Sequence, residues 1–142
     1  MTAGSGPSLV LIIDHDLGFV MWLGELFTEL GFQAVPALHC RHALQLAGRL
    51  ELPITTLVVN PDLPGAPRMV KSLLASNPEA RIILIRDAIA ARDSGRARDR
   101  IQANPPNIPA QSRLERPSPW ERISRPEWLA RVRKALIQTH SP

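Results

Sequence analysis

Cysteine is almost missing from this chain: Cys40 is the one example among 142 residues. A single thiol excludes an internal disulfide, and a cytoplasmic setting is the simple expectation. Tyrosine is absent, and Phe and Trp number three each. No aromatic platform for stacking nucleic-acid bases is therefore legible. Long apolar runs are also lacking, and none approaches the roughly 18 residues of a membrane-spanning helix. The opening MTAGSGPS has neither the basic segment nor the apolar stretch of a secretory signal. It is expected to be a flexible lead, 1–8, ahead of a single domain over 9–140. A phosphate-cradling P-loop, a dinucleotide-binding glycine fingerprint and a nucleophile elbow are all missing. The chain is accordingly not expected to be an enzyme, and no cofactor is implied.

What is present suits a soluble globular domain: 44% apolar and 21% charged residues, in a length that can bury a sizeable core. The net charge of +4 is unevenly placed. Residues 1–67 hold two Arg against six acids, whereas 68–142 hold thirteen Arg and two Lys against seven. Such asymmetry fits a surface for nucleic acid or an acidic protein, and equally a solvated basic face. In ALHCRHAL, His39, Cys40 and His42 crowd together, but no second cluster exists to complete a tetrahedral metal site. No metal is expected there.

Periodicity then orders the chain. LVLIID, 9–14, is a continuous apolar run ending in an acid, as a strand buried on both faces reads. Phe19, Trp22, Leu23, Leu26, Phe27 and Leu30 recur at helical spacing after it, with Asp16 placed to cap and Gly31 to stop. FQAVPA is a second strand. HCRHALQLAGRL is a second helix, with Ala43, Leu44, Ala47 and Leu50 inward. ITTLVV, 54–59, is a third strand, APRMVKSLLASNP a third helix, and RIILIR, 81–86, a fourth strand. Strand and helix thus alternate over the first 86 residues, which implies an α/β, doubly wound fold with a mainly parallel sheet. From 87 to 120 the pattern is irregular. A thin-faced helix over 87–103 gives way to a Pro-rich loop with room for a short strand at Arg113–Glu115. A final helix is clear in SRPEWLARVRKALIQ, opened by Ser124 and Glu127 at capping-box spacing.

Three motifs in this pattern resemble the receiver domains of bacterial two-component signalling. IIDHDLG resembles the family's first-strand motif, LVVNPDLPG its acceptor motif, and IILIRDA its fourth strand. The resemblance implies a five-stranded, flavodoxin-like receiver fold. It also implies a pocket in which two acids after the first strand hold Mg²⁺ and an Asp after the third accepts a phosphoryl group. A Thr or Ser after the fourth strand and a Lys-Pro after the fifth complete that pocket. Carried over residue by residue, Asp14 keeps the first acid and His15 replaces the second. Asn60, four residues before Pro64, stands where the acceptor Asp belongs, and Arg86 stands where the hydroxyl belongs. Arg116-Pro117 or Glu121-Arg122 takes the place of Lys-Pro, the former being preferred.

The chemistry of those departures is adverse to phosphorylation. Phosphoryl transfer to the protein needs an oxygen nucleophile and a divalent cation, and Mg²⁺ takes hard oxygen ligands. Asn60 has no carboxylate, and His15 offers nitrogen. An Arg such as Arg86 held near Asp14 would satisfy that carboxylate without metal. Deamidation of Asn60 in its common form is blocked, because Pro61 has no N–H to attack. Asp62 lies inside the turn, closer to Pro64 than the motif allows.

The expectation is a degenerate, non-phosphorylated pseudo-receiver in signal transduction, binding a protein partner or a second copy through residues 87–137. Arg96, Arg98, Arg100, Trp120, Trp128 and Arg131 are its candidate interface residues, although Trp128 reads rather as core and Trp120 is evenly balanced. A nucleic-acid reading through RDSGRARDR and the basic last helix is the alternative, weakened by Asp87, Asp93 and Asp99. A receiver phosphorylated at an unorthodox acceptor is a third. Restoring Asn60→Asp alone is expected to leave the chain unphosphorylated by a small phosphodonor, as judged by intact mass; a phosphorylated single variant would refute this.

Overall fold

The computed structural model describes residues 8–87 and 108–138. Five strands lie in one sheet: β1 Ser8–Ile13, β2 Phe32–Ala37, β3 Ile54–Val59, β4 Arg81–Asp87 and β5 Ser112–Arg116. Every pairing is parallel and the order is β2-β1-β3-β4-β5, the flavodoxin-like order. Parallel neighbours need crossover connections. Among the described residues these include α1 Leu17–Glu29, α2 Cys40–Ala47 and α3 Ala66–Ser76, and α4 Arg125–Gln138 follows β5.

The apolar strands follow from this layering. Along β1, Leu9, Leu11 and Ile13 face a core shared with α2 and α3, while Val10 and Ile12 face one shared with α1 and α4. A strand covered on both faces must be apolar throughout, which is why β1, β3 and β4 show no alternation. β2, at the sheet's edge, is less buried and tolerates Pro36.

The helix ends are built as their sequences lead one to expect. Asp16 Oδ1 accepts the Phe19 N–H at 3.1 Å to cap α1, and Gly31 follows the helix at φ +97°. Ser124 Oγ accepts the Glu127 N–H at 3.3 Å to cap α4. His39 caps α2 by accepting the His42 N–H on Nδ1 at 3.2 Å. One ring nitrogen of the His39, Cys40 and His42 group is therefore spent on backbone. Burial pushes the Cys40 thiol up from its ordinary pKa.

Several expectations are corrected. Ser8, placed in the lead, is the first residue of β1. The short strand expected at Arg113–Glu115 is present as β5, one residue longer at each end. It is held by pairing Ile83–Asp87 with Ser112–Arg116 and by Ser112 Oγ–H donating to the Ala135 carbonyl at 2.9 Å. Leu44 points outward and is 38% exposed, because α2 turns its Cys40 and Ala43 stripe to the core and Leu44 lies a residue's rotation beyond it. Asp87, expected to open a helix over 87–103, is instead the last residue of β4; residues 88–103, with Arg96, Arg98 and Arg100, lie outside the described residues.

Trp128 is a core residue, not an interface anchor. It is fully buried on α4, tilted against Phe19 with centroids 5.6 Å apart, and its Nε1–H donates to the Trp120 carbonyl at 3.1 Å. Trp128→Ala should lower the stability to urea by about 3–5 kcal/mol, the usual cost of emptying a large buried aromatic site; an unchanged urea midpoint would contradict the packing.

Candidate functional site

The site lies where the parallel strands end. In a doubly wound sheet, the crevice beyond the strands' carboxyl ends opens where the winding reverses, here between β1 and β3. Ile13 and Val59 are in register as the last residues of these strands. Asp14 and Asn60 therefore emerge side by side. Their backbones extend the ladder: the Asn60 N–H donates to the Ile13 carbonyl at 2.9 Å and the Asp14 N–H to the Ala37 carbonyl at 3.1 Å. Both side chains are buried, Asp14 completely and Asn60 to 4% exposure.

A carboxylate at zero exposure requires donors, and Asp14 has three. Asn60 Nδ2 donates to Oδ1 at 2.6 Å, while the Asp16 backbone N–H at 3.1 Å and Arg116 Nη1 at 2.5 Å donate to Oδ2. Asn60 Oδ1 accepts the Asp62 N–H at 2.9 Å, so the amide is engaged at both ends. Arg116, the last residue of β5, is paired in register with Asp87, the last of β4. Its Nε and Nη2 donate to the two Asp87 oxygens at 2.7 and 3.3 Å. Its guanidinium carbon lies 4.7 Å from the centroid of the Phe19 ring. Burial lowers the Arg116 pKa, but hydrogen bonds and charge from Asp87 and Asp14 outweigh it, and the net shift is upward.

The aromatic neighbours tie this centre to the last third of the chain. Trp120 Nε1–H donates to Asp16 Oδ2 at 3.3 Å, and its ring meets Phe19 edge-on at 5.5 Å and stacks on Trp22 at 6.4 Å. Asp16 thus serves α1 with one oxygen and Trp120 with the other.

The sequence-derived residues separate accordingly. Asp14, Asn60 and Arg116 come together. His15 points outward at 66% side-chain exposure, its Nδ1 3.8 Å from Asp14 Oδ1. The cation on Asp14 is Arg116 and not Arg86 as expected. Arg86 follows Ile82 and Leu84 onto the other side of β4, since side chains alternate along a strand. Arg116-Pro117 closes β5, while Glu121 and Arg122 are exposed in a 3-10 turn. Asp62 is exposed in the turn after Asn60. Of the interface candidates, Trp120 is half-buried, and Arg131 pairs with Glu127 at 3.0 Å over the Trp128 ring. Asp87 and Phe19 are members of the site that sequence reasoning missed. The position of Asp87 at one strand end and of Arg116 at the next was the available signal.

Mg²⁺, which the receiver resemblance implies, does not fit these residues. It requires near-octahedral oxygen ligands, yet both Asp14 oxygens face N–H donors and the Asn60 amide oxygen is engaged. Arg116 holds a positive charge directly against Asp14 Oδ2. Among the described residues, no group of three His, Cys, Asp or Glu side chains is placed to hold a metal.

No family model matches the sequence and no curated protein matches it. Solved structures do. The signal receiver domain of an HD domain-containing protein from Pseudomonas fluorescens Pf-5 superposes with a TM-score of 0.65 at 19% identity, covering 99% of this chain and 94% of that one. Chemotaxis protein CheY4 of Vibrio cholerae gives 0.60 at 14% identity, over 91% and 98%. A protein described as an adenylate cyclase from Rhodopirellula baltica gives 0.58 at 12%, over 94% and 90%. At such identities the likeness establishes the fold: a five-stranded parallel sheet wound as in CheY-like receiver domains.

Asp14→Ala should destabilise the fold by about 1–3 kcal/mol, because the buried Arg116 guanidinium and Asn60 amide each lose a partner while Arg116 keeps Asp87. A double-mutant cycle with Arg116→Met in urea should show coupling of at least about 1 kcal/mol; additive losses would mean that the two groups do not interact.

Proposed function

We propose that the chain is a divergent member of the receiver family that has given up phosphoryl transfer and works in signal transduction by binding a protein. The observation that carries this is Asn60. It occupies the end of β3 at the mouth of the switch-point crevice, the place from which a nucleophilic carboxylate would act. It is an amide fixed at both ends, by Asp14 and by the Asp62 N–H. An amide cannot form an acyl phosphate. The nearest carboxylate, Asp14, is held by three donors, and Asp62 faces solvent in the turn.

With the pocket chemically silent, the domain's contribution is its surface. The partner, or a second copy, would engage the side formed by β5 and α4. There Arg113 and Glu115 project outward, Trp120 keeps part of its ring accessible, and Ile137 is 66% exposed. Arg125 and Arg131 are already engaged by Glu29 and Glu127, which leaves α4 less basic than its sequence reads and favours a protein over a polyanion. With no helix of the described residues long and apolar enough to cross a membrane, we place the chain in the cytoplasm.

The test is incubation with a small acyl phosphodonor and Mg²⁺, read by intact mass. An unshifted mass is the expected result, and a stoichiometric phosphoryl adduct would overturn the proposal. Duplex DNA at low salt should not be retained; binding with a steep salt slope would favour the nucleic-acid reading instead.

A further inference from the structure

We infer that Arg116 is the built-in cation of this pocket: its guanidinium takes the place of a divalent metal, closes the crevice to one, and fixes the domain in a single, ligand-independent state. This rests on reading the sheet edge as a receiver-type pocket without an acceptor, and it adds to that reading how the pocket is regulated, namely that it is not.

Charge and geometry both lead here. Two carboxylates, Asp14 and Asp87, face one guanidinium from opposite sides. Asp14 has no contact with solvent, whereas the Asp87 side chain is 60% exposed. The positive charge therefore matters most to Asp14, which water cannot reach. Arg suits the position because its donors form a rigid fork. Nε and Nη2 reach across the β4–β5 pair to Asp87, and Nη1 reaches past Phe19 to Asp14. A metal could enter only by removing the N–H donors from Asp14, beside a fixed positive charge that repels it. The guanidinium does not lose its proton in the physiological range, so neither pH change near neutrality nor a chelator would release it.

The connections make this a matter of conformation as well as of binding. Arg116 ends β5, so its bonds join the tips of β1, β4 and β5. Three residues beyond Pro117, Trp120 is fastened to Asp16 and to the aromatic face of α1. A divalent ion or a phosphoryl group would have to break these contacts to alter the β5–α4 side. With Arg116 in place, a partner on that side meets one fixed surface.

The test uses Mn²⁺ as a paramagnetic stand-in for Mg²⁺, added to isotope-labelled full-length protein while backbone amide and arginine Nε–H signals are recorded. In the wild type, the Arg116 Nε–H should give a distinct signal in slow exchange with water. Amides near Asp14, Asn60 and Asp87 should show no saturable broadening up to about 1 mM Mn²⁺, the weak end of ordinary protein sites for hard divalent ions. In Arg116→Met the same amides should broaden saturably, because two carboxylates are left without a cation. Saturable broadening in the wild type would overturn the inference, as would a folded Arg116→Met that ignores Mn²⁺. Should that variant fail to fold, the wild-type signals decide alone: fast exchange of the Arg116 Nε–H refutes the arrangement, and protection together with unbroadened amides supports it. Metal binding without a phosphoryl adduct would defeat this inference and leave the function proposed above intact, whereas an adduct would defeat that function.

Discussion

Asp14 is completely buried at the end of β1, and a carboxylate in that position cannot stand without a counter-charge and donors. Much of the pocket can be understood as the answer to this constraint. Arg116 supplies the charge, Asn60 an amide N–H and Asp16 a backbone N–H. Each comes from a different segment, so meeting the need of one side chain also sets the relative positions of β1, β3, β5 and the start of α1. The Asp87 pair then holds Arg116 from its other side, and Phe19 lies against its plane.

The fold and the polar cluster at its strand ends have separate origins. The parallel winding, the switch-point crevice and the turn through Gly65, at φ +82°, into α3 are all present. They are products of apolar layering and turn geometry, and they impose nothing on the identity of the polar residues at the strand ends. The fold therefore does not dictate the chemistry of its strand ends. At this sheet edge the polar residues satisfy one another. Such a cluster rigidifies a structure more readily than it performs a reaction.

The elements differ in how far they could be read from the chain. β1, β3 and β4 were legible because burial on both faces demands unbroken apolar runs, and α1 because Phe19, Leu23, Leu26 and Phe27 keep helical spacing. β5 was only half legible. Its alternation of Ser112, Arg113, Leu114, Glu115 and Arg116 places polar residues on both sides, and its inward members, Ser112 and Arg116, find their partners in Ala135, Asp14 and Asp87. Leu44 was misplaced because helical spacing leaves the edge of an apolar stripe undetermined by a residue. Trp128 lies on the inner face that helical spacing picks out, although an amphipathic indole also serves at interfaces.

In the site, residue types at the strand ends were enough to find Asp14 and Asn60 and to see that β3 ends in an amide. Spacing within a local motif carries that information, because each residue is fixed by the strand it follows. The partner of Asp14 was another matter. Arg86 and Arg116 each lie in the last two residues of a strand, and both are arginines. Only the pairing of β5 against β4, and the alternation that turns Arg86 to one side and Asp87 to the other, selects Arg116. An ion pair between residues 14 and 116 is a contact across the chain, set by sheet order and side-chain direction. The sequence by itself determined the layered fold and the amide at the end of β3; tertiary structure alone decided which cation meets Asp14.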